Sequence, residues 1–372
     1  MKIISVFGTR PEAIKMAPLV KLLQQKTNIE AKIAVTAQHR EMLDQVLELF
    51  DIQPDYDLNI MRQGQTLADI TSTVICGMGD VFAQEKPHLV LVHGDTTTTF
   101  AAALAAFYAR IPCGHVEAGL RTGNKYAPYP EEINRCLTGV LADYHFAPTK
   151  TAQENLLAEN IPAARIVVTG NTVIDALLQV VKKDCDLADY GLGAVDWQKD
   201  IILLTCHRRE NWGYPMQQIF SAVAALVEKY AETEVVFPVH KNPLVRQEAE
   251  KYLSGHPRIH LIEPLDYLPF AKIMSRAKIV LTDSGGMQEE APALGKPVLV
   301  LREVTERPEA ILSGTAKLVG IEKDSIIKGV SVLLDDNNEY TKMAQAINPY
   351  GDGQASQKIL EAIGNYFSLD IA

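Results

Sequence analysis

The sequence predicts an α/β fold of two domains, each a parallel sheet covered by helices on both faces, with a cleft between the domains. Short β-branched runs alternate with helical patterns along most of the chain, which is the order typical of parallel sheets. The strand-like runs are nearly continuous in apolar residues, as strands buried on both faces should be. An Asp- and Gly-rich stretch without periodicity, Asp184–Lys199, separates two such series, so we interpret it as a linker.

Each series supplies the strands of one sheet. The predicted strands of the first series are Ile3–Phe7, Ala31–Val35, Leu89–His93, Pro112–Val116, Tyr144–Ala147 and Ile166–Thr169. Those of the second are Ile201–Thr205, Glu234–Pro238, Ile259–Ile262, Ile279–Thr282 and Val298–Leu301. We expect helices at Pro11–Leu23 and Glu41–Phe50, and a last one at Ala355–Phe367. The expected domains are 1–170 and 171–354, and the segment 355–372 is compatible with packing back on the first domain.

Composition excludes several classes of protein. The 372 residues suit two domains, and the hydrophobic fraction of 47% is too high for a disordered chain. A net charge of −10 argues against a general nucleic-acid binder, because phosphate contacts need a basic face. An anionic small ligand is still allowed, but a local cluster of cations and amides must hold it.

No segment looks like a membrane anchor or a metal-binding motif. No run approaches the roughly 18–20 apolar residues of a membrane span, and the apolar run at Met1–Phe7 is too short for a signal peptide. The five cysteines include no CxxC pair, which disfavours a disulfide framework or a zinc cluster. We therefore expect a cytoplasmic protein without a metal.

The first strand–helix turn, Gly8–Glu12, carries cations at a helix N-terminus. Arg10 lies where the helix dipole is positive, which is unfavourable for a cation unless an anion lies nearby, and Lys15 follows within two turns. The turn is therefore a candidate phosphate or carboxylate site. The alternative, given equal weight, is that Arg10 pairs with Glu12 or another surface acid. The turn lacks GxGxxG, which disfavours a nicotinamide dinucleotide site.

Acidic residues follow two strands of the first series. Asp95 and Glu117 come directly after predicted strands, and the carboxyl ends of parallel strands face the ligand crevice. Two neighbouring carboxylates drive their pKa values apart, which suits general acid–base chemistry. The alternative for Asp95 is an N-cap for the helix that follows. Glu131 and Glu132 open a predicted helix, where acids favour the dipole, so a structural role leads for both.

The second series ends its first and fourth strands with polar residues. His207 stands beside Arg208 and Arg209, a position suited to binding or protonating an anion. Ser284, Gly285 and Gly286 join a strand to a helix, so backbone amides at the helix N-terminus could hold a diphosphate. Glu290 in the first helical turn would bind ribose hydroxyls or satisfy the dipole, and Arg307 adds a cation at the same edge.

Taken together, these motifs resemble the non-hydrolysing UDP-N-acetylglucosamine 2-epimerases. The resemblance covers nearly the whole chain and lies in Phe7–Val20, Thr36–Leu47, Leu91–Thr99, His115–Gly123, Pro128–Arg135, Thr169–Leu177, His207–Asn211, Thr282–Val300 and Thr305–Ala310. The fold that it implies is the two-domain glycosyltransferase-B architecture, with two Rossmann-like domains and the active site between them. This agrees with the two α/β series.

The resemblance also implies a role for each matching residue. Ser284, Gly285 and Gly286 would hold the diphosphate, Glu290 the ribose, and Phe270 with the backbone near Leu265 the uracil. Arg10, Lys15, His207 and Arg307 would complete the anion site, with His207 also among the catalytic residues. Asp95, Glu117 and Glu131 would surround the sugar as acid–base groups. Gln38, His39 and Gln65 match positions linked to a second UDP-N-acetylglucosamine that acts as an activator.

The implied reaction interconverts UDP-N-acetylglucosamine and UDP-N-acetylmannosamine, for a cell-surface or capsular polysaccharide. UDP would leave as the C2 proton is removed, giving a 2-acetamidoglucal, and would then add back. The resemblance implies no cofactor, no nucleic-acid or membrane partner, and a homodimer. The alternative is a UDP-sugar glycosyltransferase of the same architecture, disfavoured by the absence of a basic or apolar membrane-facing patch. A non-catalytic UDP-sugar sensor and a hydrolysing variant are the other readings.

Overall fold

The chain folds into two compact α/β units, which we describe separately. The computed structural model describes residues 1–37 and 40–369, with the backbone alone at Glu41. Unit 1 comprises Met1–Ala176 together with the segment that begins at Tyr350, and unit 2 comprises Leu177–Pro349. The chain therefore leaves and re-enters unit 1 a few residues from the boundaries expected at 170 and 354.

Unit 1 is a seven-stranded parallel sheet in the order β3-β2-β1-β4-β5-β6-β7. Its strands are β1 Lys2–Phe7, β2 Glu30–Val35, β3 Tyr56–Asp57, β4 Leu89–His93, β5 Cys113–Val116, β6 Tyr144–Ala147 and β7 Ile166–Val168. Its helices are α1 Arg10–Gln24, α2 Arg40–Leu49, α3 Leu67–Glu85, α4 Thr97–Tyr108, α5 Glu131–Leu141, α6 Lys150–Ala158 and the start of α7 Thr172–Val180. All five residues of β4 are buried, as a central strand covered on both faces requires.

Unit 2 is a six-stranded parallel sheet in the order β10-β9-β8-β11-β12-β13. Its strands are β8 Asp200–Thr205, β9 Thr233–Pro238, β10 Ile259–Ile262, β11 Ile279–Thr282, β12 Val298–Val300 and β13 Ala316–Leu318. Its helices are α8 Tyr214–Lys229, α9 Pro243–Leu253, α10 Tyr267–Arg276, α11 Gly285–Ala293, α12 Pro308–Leu312, α13 Lys323–Asp335 and α14 Asn337–Ala344. Both sheets reverse their strand order once, as doubly wound folds do.

The last helix, α15 Ala355–Phe367, belongs to unit 1. The buried carboxylate of Asp175 accepts hydrogen bonds from the backbone N–H groups of Ala355 and Ser356, at 3.1 and 2.8 Å, and so caps the start of α15. Tyr366 near the end of α15 stacks on Tyr144 of β6, with the ring centroids 4.1 Å apart. These contacts fix the returning chain to unit 1.

The stretch Asp184–Lys199 is not a linker, which corrects the sequence interpretation. It lies within unit 2, and the chain passes from unit 1 to unit 2 earlier, within α7. Leu187, Leu192 and Val195 are buried, so this irregular stretch packs its few apolar side chains into the unit. Absence of periodicity marks a segment without regular structure, but a segment of that kind can still be well packed.

No helix within residues 1–37 and 40–369 is long and apolar enough to cross a membrane.

Gly119 lies three residues after β5 at a point where no side chain fits. Its φ is +90°, and a Cβ atom built there would lie 2.2 Å from the backbone oxygen of Ala152. We expect Gly119→Ala to lower the free energy of unfolding of unit 1 by about 3 kcal/mol or more, because backbone must move to relieve the overlap. Urea unfolding measures the change. Gly123→Ala is the control, since Gly123 also has a positive φ, +74°, but open space around it; we expect about 1 kcal/mol there. Equal losses in the two variants would contradict this packing argument.

Candidate active site

Four of the predicted site residues follow the two central strand pairs at their carboxyl ends. In unit 1 the strand order reverses between β1 and β4, which lead into the turns carrying Arg10 and Asp95. In unit 2 it reverses between β8 and β11, which lead to His207 and to Ser284. Ligands of open α/β sheets bind at such reversal points.

Glu117 is held as an anion at the end of β5. Its backbone adopts a left-handed conformation with φ +63°. This conformation is strained for a residue with a side chain, and residues held in it are enriched at functional sites. The ammonium of Lys15 forms an ion pair with Oε2, and Asn171 Nδ2 donates to the same oxygen at 2.8 Å. His93 Nε2 lies 4.0 Å from it. Burial alone raises the pKa of Glu117, but Lys15, His93 and Asn171 outweigh burial and hold it at about 2.

The pKa of Asp95 is raised, whereas that of Glu117 is lowered. Burial raises the pKa of Asp95, and the nearby Glu117 carboxylate adds to this, against the opposing effect of Arg135. Arg135 Nη2 forms an ion pair with the Asp95 carboxylate, and Asn134 Nδ2 donates to the Asp95 backbone oxygen at 3.0 Å. Asp95 is not the N-cap of α4, because Thr96 takes that position and accepts from Thr99 N. The carboxylate of Asp95 is thus available for a role at the strand end.

A buried carboxylate, Glu12, ties the Arg10 turn to the Asp95 turn. Its Oε2 accepts from Gly8 N at 3.0 Å and from both the backbone and the hydroxyl of Thr9 at 2.8 Å. Its Oε1 accepts from the hydroxyls of Thr96 at 2.6 Å and Thr99 at 2.8 Å. The Arg10–Glu12 pair considered from the sequence is therefore not formed. Arg10 has no ion-pair partner among the side chains that the structure describes, which favours the anion-site interpretation.

The two acids that open α5 have different environments. Glu132 is buried, and its Oε1 accepts from the backbone N–H groups of Thr122 and Gly123 at 3.0 and 2.9 Å, so it holds the preceding loop. Glu131 Oε2 is a buried atom without a hydrogen-bond partner in the described part of the chain. The structural role expected for both acids thus fits Glu132, while Glu131 keeps a carboxylate oxygen for a ligand.

In unit 2 the cations near α11 are already paired with carboxylates. Arg208 donates two hydrogen bonds of 3.2 Å to Glu306, and Arg307 forms an ion pair with Glu289. A Cβ atom at Gly285 would lie 3.8 to 3.9 Å from Arg208, Glu306 and Arg307, so these side chains surround the first residue of α11. Ser284 is the N-cap of that helix, and Gly286 follows in its first turn. The start of α11, where a diphosphate is expected to bind, is therefore surrounded by paired charges.

Two further predicted groups lie at neighbouring positions of unit 2. The hydroxyl of Tyr267 donates to Glu290 Oε2 at 3.0 Å and so orients the carboxylate expected to bind ribose. Leu265 lies in the loop before α10, and Phe270 is in the first turns of α10; both are partly exposed. His207 follows β8 and lies against Asp283, with Nδ1 3.1 Å from Oδ1.

The activator residues are only partly described. Gln65 lies before α3, where its side-chain oxygen accepts from Arg62 N at 3.2 Å. Gln38 and His39 lie outside the described residues. Activation through these three residues stays a prediction.

Comparison with known proteins identifies the family. The family model for UDP-N-acetylglucosamine 2-epimerase matches residues 21–364. The chain is 56% identical to the UDP-N-acetylglucosamine 2-epimerase of Escherichia coli O157:H7, over 98% of this chain and 99% of that one. It is also similar to the crystal structure of a putative UDP-N-acetylglucosamine 2-epimerase from Listeria monocytogenes, with a TM-score of 0.93, 56% identity, and 99% and 96% of the two chains covered.

A second similar structure was solved with a ligand. It is the UDP-GlcNAc 2-epimerase from Neisseria meningitidis bound to UDP-GlcNAc, with a TM-score of 0.86, 52% identity, and 98% and 100% of the two chains covered. The chain belongs to the UDP-N-acetylglucosamine 2-epimerase family.

Membership in the UDP-N-acetylglucosamine 2-epimerase family confirms the predicted non-hydrolysing family, the two-unit α/β fold class and the isomerase class of enzyme. The roles of the individual site residues stay predictions, which the geometry above supports to different degrees. Four residues that the structure adds were not selected from the sequence: Glu12, Asn171, Tyr267 and Asp283. Asn171 and Asp283 follow predicted strands, which is a usable signal. Thr9 and Glu12 have the spacing of a capping box, which indicates the contact between them. Nothing local to Tyr267 shows what it contacts.

Proposed function

We propose that the protein interconverts UDP-N-acetylglucosamine and UDP-N-acetylmannosamine by elimination and re-addition of UDP. The observation that carries the proposal is the pair of carboxylates at one sheet edge, with the pKa of Asp95 raised and that of Glu117 lowered to about 2. Two acid–base groups of different proton affinity are what removal and return of a proton require.

The chemistry accounts for the residue types. The hydrogen on C2 of the sugar is not next to a carbonyl, so its removal needs the simultaneous loss of a leaving group. A carboxylate takes the C2 proton, the C1–O bond breaks, and the bonding electrons leave with UDP, giving the 2-acetamidoglucal. UDP then adds back at C1 as a carboxylic acid returns a proton to the opposite face of C2. Asp95, Glu117 and Glu131 are the proposed acid–base groups.

Departing UDP gains a negative charge that cations must stabilise. Arg10 and Lys15 of unit 1, and His207 and Arg307 of unit 2, are the proposed cations. Ser284, Gly285 and Gly286 would bind the diphosphate with backbone N–H groups at the start of α11. Phe270 and the backbone at Leu265 would bind uracil, and Glu290 the ribose.

The reaction itself is tested by proton NMR of the purified protein with UDP-N-acetylglucosamine in D₂O, without added nicotinamide cofactor or metal. We expect UDP-N-acetylmannosamine to appear with deuterium at C2. Free N-acetylmannosamine and UDP instead would indicate hydrolysis. Substrate that stays unchanged and keeps its C2 hydrogen at high protein concentration would contradict the proposal and favour an acceptor-dependent glycosyltransferase.

Tyr267 provides a test of the proposed ribose contact. We expect Tyr267→Phe to weaken UDP binding about fivefold, because one hydrogen bond that orients Glu290 is lost, at about 1 kcal/mol. The KM for the UDP-sugar should rise by a similar factor, with kcat nearly unchanged. Isothermal titration calorimetry with UDP measures the first effect. Tyr252→Phe, at a tyrosine of α9 in the same unit, should leave binding unchanged; equal effects would contradict the role of Glu290.

We further propose that the product supplies N-acetylmannosamine units to a cell-surface polysaccharide and that the protein acts as a homodimer. The proposed dimer interface lies on α5 of unit 1, because Ile133, Leu137 and Val140 form one exposed apolar stripe along this helix. Val140 is 79% exposed.

Val140→Asp tests this surface by placing a charge in the stripe. If a second copy packs there, sedimentation should show at least a tenfold rise in the dissociation constant, because a buried unpaired charge opposes association. Ile347→Asp, at an apolar residue of unit 2 that is 86% exposed, is the control and should leave the assembly unchanged. An unaltered assembly in the Val140 variant would exclude α5 as the interface.

A further inference from the structure

The carboxylate of Asp283 is the most fully enclosed acid near the predicted site of unit 2. Asp283 follows β11, is 0% exposed, and lies beside the end of β8, because Thr205 and Thr282 are register partners. Its Oδ2 accepts three hydrogen bonds: from His207 N and Arg208 N at 2.9 Å, and from Asn211 Nδ2 at 3.0 Å. These bonds shape the turn that carries His207.

The second carboxylate oxygen of Asp283 lies next to the ring of His207. Oδ1 lies 3.1 Å from Nδ1 of the His207 ring. One amide oxygen, as in asparagine, would satisfy the three N–H donors on the other side, so the turn alone does not require a carboxylate. A buried negative charge is unfavourable unless a group nearby compensates it. The imidazole of His207 is the group placed to do so, and its interaction with Asp283 helps to hold the pKa of that carboxyl below its ordinary value against the opposing effect of burial.

The rest of the His207 ring is open. The side chain is 41% exposed, and with Nδ1 toward Asp283 the Nε2 edge is the one left for a ligand. The ring stacks on that of His240, with centroids 5.8 Å apart, and His240 Nδ1 accepts from Asn242 N at 3.1 Å. The other ionisable groups beside the dyad are the Cys206 thiol, whose pKa burial and Asp283 raise, and Arg208, which is paired with Glu306.

We propose that Asp283 is a positioning residue that fixes His207 with its Nδ1–H toward Oδ1 and its Nε2 toward the departing diphosphate. In this arrangement the imidazolium form donates Nε2–H to a phosphate oxygen while Asp283 stabilises its positive charge. No proton changes owner in this step; the dyad supplies oriented charge when the C1–O bond breaks. The inference rests on the proposed function for the role of His207, but the tautomer it assigns does not depend on that function.

The tautomer is measured directly on the full chain. Protein labelled with ¹⁵N in its nine histidines gives ring signals from which the His207 signal is assigned by its loss in His207→Gln. At a pH where the ring is neutral, we expect the proton on Nδ1. Asp283→Asn should move it to Nε2, because the amide oxygen must face the three N–H donors and the amide NH₂ then faces Nδ1. A proton on Nε2 in the unaltered protein would overturn the proposal.

Kinetics test the function of the dyad. We expect Asp283→Asn to lower kcat about 10- to 100-fold, the range seen when a group that orients a functional histidine is removed, with KM changed less than about threefold. In the His207→Gln background the same substitution should have less than about a twofold effect, because Asp283 then has no ring to position. Asp200→Asn, an aspartate at the other end of β8 that pairs with Lys278, is the control and should keep full activity.

The two experiments distinguish a failure of this proposal from a failure of the proposed function. Equal losses from Asp283→Asn in both backgrounds would mean that Asp283 only shapes the turn, and would overturn the proposal. If the unaltered protein shows no epimerisation, the proposed function fails, and the tautomer measurement still decides whether Asp283 positions His207. An Asp283→Asn variant that does not fold leaves the tautomer of the unaltered protein as the deciding observation.

Discussion

Glu117→Gln is expected to lower kcat by about 10²- to 10⁴-fold, the usual contribution of a positioned acid–base group. The substitution keeps the shape of the side chain but removes the charge that Lys15 and Asn171 hold in place. Lys15, His93 and Asn171 hold the pKa of Glu117 well below its ordinary value despite burial, so the carboxylate is ionised at neutral pH. Glutamine cannot ionise, so the loss should not be recovered by raising the pH. Steady-state rates of the UDP-sugar interconversion measure it.

The folded state must be shown to survive the change. Circular dichroism and UDP affinity should stay near those of the unaltered protein, because the proposed UDP-binding residues lie mainly in unit 2. Glu85→Gln is the matched control, since Glu85 is a partly buried glutamate of unit 1 that pairs with Lys2 far from the strand carboxyl ends. Its rate should be unchanged. A Glu117→Gln variant with more than a tenth of the normal rate would contradict an acid–base role for this residue.

Unit 1 is expected to lose several kcal/mol of stability as the pH falls from about 6.5 to about 4. Three buried histidines lie on the adjacent strands β4, β5 and β6, where His115 is the register partner of His145. Burial lowers the pKa of His93 and of His145 to about 4 and that of His115 to about 3. His115 Nε2–H also donates to Gly94 O at 2.7 Å. The neutral imidazole makes this hydrogen bond, so His115 does not need to be protonated to form it.

The direction follows from proton binding. Below about pH 6.5 the unfolded chain protonates these histidines, while the folded unit keeps them neutral until the pH approaches the lowered values. Stability is therefore fully present above that range and is lost as the pH falls. Each proton contributes about 1.4 kcal/mol per pH unit, so three give a slope of up to about 4 kcal/mol per pH unit. Glu12, Asp95 and Asp175 oppose this in part, because burial raises their pKa values in the folded unit.

His145→Gln isolates one of these protons. Its slope of stability against pH should be smaller by about 1.4 kcal/mol per pH unit. Urea unfolding read from unit 1 peptides by hydrogen exchange separates unit 1 from unit 2. His88→Gln, at an exposed histidine of the same unit, should keep the original slope. A His145 variant with the original slope would show that His145 does not resist protonation in the folded unit.

Most strands could be located from the sequence because central parallel strands are short, nearly continuous apolar runs. Leu89–His93, Tyr144–Ala147 and Ile279–Thr282 have the predicted bounds. Strands β3 and β13, of two and three residues, were missed because such short edge strands carry too few residues for a period. A packed segment without regular secondary structure, such as Asp184–Lys199, likewise cannot be distinguished from a linker by hydrophobic periodicity alone.

At the candidate site, the sequence predicts where side chains lie but not which side chains contact each other. Position after a strand indicates that Asp95 and Glu117 lie at one sheet edge, but partners come from residues distant in sequence. The sequence predicts that Lys15 binds an anion, but it does not show that Glu117, 102 residues away, is its partner in the protein. Glu12 had been considered as a partner of Arg10 and instead joins two turns. Long-range contacts of this sort depend on the whole sheet, and no local pattern encodes them.

The elimination mechanism requires cleavage of the bond between C1 and the bridging oxygen, and an oxygen label tests this step directly. UDP-N-acetylglucosamine with ¹⁸O in the sugar–phosphate bridge is incubated with the protein, and phosphorus NMR follows the label during epimerisation. We expect ¹⁸O to move into the non-bridging oxygens of the β-phosphate, because the β-phosphate of freed UDP can rotate before UDP adds back. Epimerised product that keeps all of its ¹⁸O in the bridge would show that the C1–O bond stays intact, and would contradict the elimination mechanism.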